Sequence, residues 1–375
     1  MRKINDIIDL FKVNIIKTLK DENLYFNNID FDVTIPEDSS FGDISTNVSL
    51  KLSSYLKKSP REIAELIIKK LDKSSLYVNR IEIAGPGFIN FYLDDNWIIK
   101  IGSMILKNGI DILKKDSSEN YLLHLVLNAS LNENDINRAS AYANALLNIL
   151  RLKGNKVCLV DTIEKEKSLN LDNFGHIINI FPYGHLKNLC YNTKGETVEV
   201  GSISLDDGRK RLNENIKDLI GEKRFNFWAL SKTVKRDISI PLGSALINNT
   251  DNPYFFVSYV YERANNINYI LGKEGYKIGS SNLKDMSFNL AEGKKIIFEI
   301  LNFEKVIDEA IKFKEPYKLF NYLYNFCVYF YEYNRKLFIR EFEEKDILGN
   351  MFILNVIKVF VSETLDVLTG KVFDI

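Results

Sequence analysis

Histidine, cysteine and proline are scarce in this chain, and net charge is absent. Three histidines, His124, His176 and His185, occur in 375 residues. None has a serine, cysteine or aspartate partner at a recognised spacing, so nucleophilic triads find no support. The three cysteines, Cys158, Cys190 and Cys327, stand far apart with none in a CxxC pair. Disulfides and zinc are therefore not expected, and a reducing compartment is. His185 and Cys190 lie close in sequence, but two ligands alone do not make a metal site. The 50 basic side chains are matched by 50 acidic ones, which excludes polycation-type binding and leaves only a local basic face to track phosphates. No apolar run is long enough to span a bilayer. The opening MRKINDIIDLFKVNIIKTLK sets charges between Ile4, Ile7, Ile8, Phe11, Ile15 and Leu19 at helical spacing, an amphipathic helix rather than a signal peptide. The expected location is the cytoplasm, with no membrane partner.

What is present is apolar: 46% of residues are hydrophobic, enough to build cores for two or three domains. The pattern divides into three blocks of a multidomain α/β plus all-α protein. Residues 1–113 read as a compact α/β domain. In it SPRE (59–62) offers Ser59 as a helix cap, Pro60 at the first helical position and Glu62 to close a capping box. The strands VNRIEIAG and GFINFYL then flank the turn Gly85-Pro86-Gly87. Residues 118–206 read as a β-α-β unit with a less regular tail, a reduced nucleotide-binding-type sheet. Residues 207–375 carry apolar and aromatic side chains at i, i+3, i+4 spacing and read as an antiparallel helix bundle.

The β-α-β unit poses the functional question. The apolar run YLLHLVLN (121–128), a helix over 136–153 stopped by Gly154, and VCLV (157–160) form the frame of a nucleotide fold. Its first turn, however, holds neither glycine nor histidine. The GPG at 85–87 joins two strands without a following helix N-terminus, which suits a hairpin better than a phosphate loop. Carboxylates are abundant, but no pair stands out for acid–base chemistry.

Both ends of the chain resemble one family. FGDISTNVSLKLSSYLKKSPREIAELIIKKL (41–71) followed by IEIAGPGFINFYL (81–93) is similar to the N-terminal additional domain of arginyl-tRNA synthetases, where a GD-x-x-x-N segment, an NPREIA-like helix start and an AGPGFIN strand pair recur in that order. NPYFFVSYVYERANNI (252–267), PYKLFNYLYNFCVYFYEY (316–333) and SETLDVLTG (362–370) resemble successive helices of the family's anticodon-binding (DALR-type) bundle. The resemblance places the family's HIGH-type motif, which grips ATP phosphates, on Glu133, Asn134, Asp135 and Ile136. It places the KMSK-like loop on Glu196, Thr197, Val198, Glu199 and Val200. Neither stretch keeps the imidazoles or the lysine, and the middle block is short for a full catalytic domain.

The resemblance implies a tRNA-binding protein, with tRNA-Arg the first candidate, no DNA partner and no assigned protein partner. It implies no catalytic residues and no cofactor, ATP entering only if the chain is an arginine–tRNA ligase or another adenylating enzyme with a non-standard site. A further alternative is a protein-interaction module that binds no RNA. On the D-loop side Phe88 is expected to stack on a base and Asn90 to bond its edge, the alternative being core packing for Phe88 and a turn-proximal role for Asn90. Strand alternation puts Phe88, Asn90 and Tyr92 on one face and Ile89, Phe91 and Leu93 on the other. On the anticodon side Tyr259 and Arg263, one helical turn apart, are the candidates for a base and a phosphate, against packing for Tyr259 and simple solvation for Arg263.

Overall fold

The computed structural model describes residues 6–24, 29–36, 38–73, 76–113, 119–127, 131–161, 169–184, 194–206, 211–212, 215–279 and 282–370. His185 and Cys190, the two possible metal ligands, lie outside the described residues. The chain forms two compact units, Met1–Ser103 with Gly279–Asn289, and Met104–Ile278 with Leu290–Ile375.

In the first unit α1 (Asp6–Asp21) is followed by β1 (Val33–Thr34), β2 (Ile44–Thr46), α2 (Val48–Leu56), α3 (Pro60–Lys70), β3 (Val78–Ala84) and β4 (Phe88–Leu93), before α4 (Asn96–Asn108). The strands form an antiparallel sheet in the order β1-β2-β4-β3. The apolar stripe of α1 buries Phe11, Ile15 and Leu19, and the Phe11 ring meets Phe91 edge-on at 4.8 Å. The capping box forms as expected: Ser59 Oγ accepts from Glu62 N at 3.2 Å and Glu62 Oε2 from Ser59 N at 3.1 Å. The β3–β4 hairpin turn packs directly on this helix start. A Cβ on Gly87 would lie 2.6 Å from Pro60 Cβ, and its φ of +143° further favours glycine.

The second unit contains β5 (Asn120–Leu125), α5 (Glu133–Leu152), β6 (Lys156–Val160), β7 (His176–Phe181) and β8 (Glu196–Glu199). These strands form a wholly parallel sheet in the order β6-β5-β7-β8, so the β-α-β frame is present. A second sheet joins β9 (Ile203–Asp206), β10 (Arg211–Leu212) and β11 (Ile238–Pro241), with β11 parallel to β9. Two short helices, α6 (Ile216–Ile220) and α7 (Glu222–Ala229), lie between these strands in sequence. The pairing of Ile203 with Ile238 runs across the 206/207 division read from the sequence. One core gathers Ala141 of α5, Ile203, Ile216, Phe225 and Ile238, so the middle and helical blocks share a compact unit.

The helical bundle follows α8 (Leu242–Leu246) and comprises α9 (Pro253–Lys273), α10 (Ala291–Leu301), α11 (Phe303–Phe313), α12 (Tyr317–Lys336) and α13 (Glu344–Thr369). Asn252 caps α9, accepting from Tyr254 N and Phe255 N, and Pro253 holds the first helical position. α12 buries Leu319, Leu323, Phe326, Phe330 and Tyr333, and the buried Tyr333 hydroxyl donates to Asn350 Oδ1 of α13 at 2.6 Å. The α/β-plus-helical class read from the sequence is the observed one. Among the described residues no helix is long and apolar enough to cross a membrane.

Candidate nucleic-acid interface and nucleotide cleft

In an open parallel sheet a ligand crevice is expected at the carboxyl ends of the strands, where the chain order switches sides. Here that point lies between β5 and β7, beside the N-terminus of α5. A helix N-terminus attracts anions through its free N–H groups; here one of them is capped and the first-turn side chains are acceptors engaged with other segments. Asn132 Oδ1 accepts from Asn134 N at 2.9 Å. Glu133, exposed, accepts from Asn215 Nδ2 at 2.8 Å. Asn134 is buried and its Oδ1 accepts from Ile216 N at 2.9 Å. Asp135 is buried and accepts from Ile203 N at 2.9 Å. Ile136 is half-buried.

One turn on, Arg138 is 1% exposed. It donates to Ser202 O at 2.8 Å and to Ala229 O at 3.4 Å. Burial pushes its guanidinium down to about 10, against the carboxylates of Asp237, Asp135 and Glu315. Burial likewise raises the Asp135 carboxyl above its ordinary range, opposed by the Ile203 N–H and Arg138. The segment around residue 201 approaches closely: a Cβ on Gly201 would lie 2.8 Å from the Arg236 carbonyl and 2.9 Å from Arg138 Nη1. Arg138, Asp135 and Asn134 at the start of α5 thus hold the backbone at 202, 203 and 216 respectively. Sequence reading missed Arg138, because nothing in its local spacing marks it as buried.

Of residues 196–200, on which the resemblance places the KMSK-like signature, Glu196–Glu199 form β8, in register with β7 from Ile178 to Phe181. The alternation explains it. Val198 is buried beside exposed Glu196 and Thr197, and Val200, also buried, follows the strand. Glu196 pairs with Lys314 at 2.6 Å, and Glu199 Oε1 accepts from Gly184 N at 3.1 Å. The two described histidines sit in structural contacts. His124 Nδ1 lies 3.3 Å from Asn179 Oδ1 in the sheet, and His176 stacks on Tyr121 at 4.5 Å.

On β4 the predicted alternation holds for the core: Ile89, Phe91 and Leu93 are buried. Phe88 is 40% exposed, as a stacking platform requires. Asn90 differs from its expected exposed role, being only 2% exposed. Its register partners Ser45 and Glu82 flank it on both neighbouring strands, and Ser45 Oγ donates to its Oδ1 at 2.8 Å. In the bundle, Tyr259 is half-buried and stacked near Phe255 at 6.4 Å. Arg263 is exposed, and its Nε donates to Asn334 Oδ1 of α12 at 3.1 Å.

Residues 5–93 match the family model described as the arginyl tRNA synthetase N terminal domain, and residues 257–373 match the DALR anticodon binding domain. The chain belongs to the arginyl-tRNA synthetase family. Phe88 and Asn90 lie in the first matched segment of this family member, Tyr259 and Arg263 in the second, and the α5 and β8 positions in neither. The arginine–tRNA ligase of Staphylococcus aureus is 36% identical over 132 residues, 34% of this chain and 24% of its own length. The match thus spans about a quarter of that relative. The solved arginyl-tRNA synthetases of Thermus thermophilus and Plasmodium falciparum share the fold, each with a TM-score of 0.62. Identity is 12% and 11%, over 97% of this chain and 99% and 98% of those chains.

Proposed function

We propose that this protein binds tRNA and does not activate arginine, acting as an accessory, carrier or regulatory member of its family. The observation that carries the reading is the state of the α5 N-terminus. Adenylate formation needs donors aimed at the departing pyrophosphate, and loss of one such donor costs about 10²–10³ in rate. Here the first-turn side chains Glu133, Asn134 and Asp135 act as acceptors, engaged with Asn215, Ile216 and Ile203. Two of them add negative charge where a triphosphate would sit. At the second aligned position Glu196 and Glu199 are tied to Lys314 and Gly184 in place of a mobile, phosphate-seeking lysine. Both tRNA-facing ends of the family remain, which favours tRNA, and tRNA-Arg first, over DNA or a protein partner.

Arginine-dependent exchange of pyrophosphate into ATP, measured with and without tRNA, tests the reading. The expected result is no exchange above background under either condition. Exchange that disappears on Glu133→Ala or Glu199→Ala overturns it, because these acids would then be doing chemistry.

A further inference from the structure

We propose that Arg80, set over the Tyr92 ring, is a second nucleotide contact on the outer face of the first unit's sheet, so that this face holds two splayed nucleotides of one RNA loop. The inference rests on the reading that the protein binds tRNA. β3 and β4 pair so that Ala84 faces Phe88 and Arg80 faces Tyr92. The Arg80 guanidinium carbon lies 3.8 Å from the Tyr92 ring centroid, and the Arg80 side chain is 58% exposed. The tyrosine beneath is anchored, its hydroxyl 2.9 Å from both Ser40 O and Glu82 Oε2. The guanidinium therefore sits over a fixed ring while the side chain stays open to solvent. Such a group stacks on a base and carries charge for a phosphate.

Spacing sets the ligand class. Four residues of strand at about 3.3 Å each put the Arg80–Tyr92 stack about 13 Å from Phe88. Stacked nucleotides rise only about 3.4 Å each, so the two platforms cannot serve neighbouring bases of a helix. They suit unstacked bases in a loop, which is how sequence in RNA is usually presented. Glu82 restrains the site, since its carboxylate pairs with Arg80 and spends part of the charge a phosphate would use.

The test uses the full chain and a folded tRNA in gel shifts across a salt series. Arg80→Ala is expected to weaken binding about tenfold and to lower the salt slope by about one phosphate contact. Glu82→Gln, which can still accept from Tyr92, is expected to tighten binding, a gain that misfolding cannot produce. Phe88→Ala serves as the reference. If Phe88→Ala weakens binding while Arg80→Ala and Glu82→Gln leave it unchanged, the second contact is overturned and the tRNA reading stands. If the unaltered protein does not bind tRNA, both are overturned.

Discussion

Asp135 stabilises the fold through its acceptor and strains it through its charge. Its oxygen accepts from the Ile203 N–H inside the second unit, while burial raises its carboxyl above the usual 3.8. The folded state therefore holds that proton more tightly than the unfolded chain, and this group's contribution falls as pH rises through the interval between the two values. Asp135→Ala leaves a buried N–H without a partner and is expected to cost about 1–3 kcal/mol. Asp135→Asn keeps an acceptor and should cost less. As pH is lowered through that interval, the unaltered protein should gain stability relative to Asp135→Asn. Urea midpoints at a series of acidic pH values check both statements; a difference that stays flat with pH would show that the buried charge has no such role. None of this was legible in the motif position alone. An acidic residue where a family keeps histidine signals a changed site, but only the fold reveals that its partner is a backbone amide 68 residues away.

Elements differ in how far their partners lie along the chain, and legibility follows that distance. The capping box of α3 and the β5–α5–β6 frame come from patterns within a few residues or one crossover, and both appear as read. β8 is weakly marked in the sequence, because four residues of alternation say little without a neighbour, and the neighbour β7 supplies the register. The β9–β11 pairing was not foreseen, since parallel pairing joins segments that no local period connects. The contact between α5 and α11 is of the same kind. Lys153, at the C-terminal end of α5, is buried between Glu304 at 2.9 Å and the half-exposed Asp308 at 2.7 Å. Removing the cation takes the counter-charge from the buried Glu304 carboxylate, so Lys153→Ala is expected to destabilise by about 3–5 kcal/mol. Replacing the buried pair by apolar groups, Lys153→Met with Glu304→Leu, should recover most of that loss. Thermal unfolding of the single and double variants decides it: a double variant no more stable than Lys153→Ala would mean that the attraction within the ion pair, not an uncompensated carboxylate, accounts for the loss.

At the scale of the whole molecule, 50 basic and 50 acidic residues leave no net field to draw RNA in, so affinity must come from local contacts. The candidates proposed for those contacts occur in both units: exposed Phe88 and Arg80 in the first, exposed Arg263 in the second. A protein without net charge should meet only a limited number of phosphates, each worth about −0.9 in the slope of log affinity against log salt on a duplex and about −0.7 on a single strand. Binding to folded tRNA is therefore expected to weaken with salt along a shallow slope, unlike that of a highly basic protein. Engagement of separate sites by one rigid ligand raises overall affinity without any new contact, and is lost when the ligand cannot reach both. An unstructured RNA of equal length offers the same phosphates and bases but no fixed spacing, so it should bind more weakly at every salt concentration. Gel shifts with the two RNAs measure this directly. Equal affinities would leave charge as the whole of the interaction and would remove recognition of tRNA shape from the function of this protein.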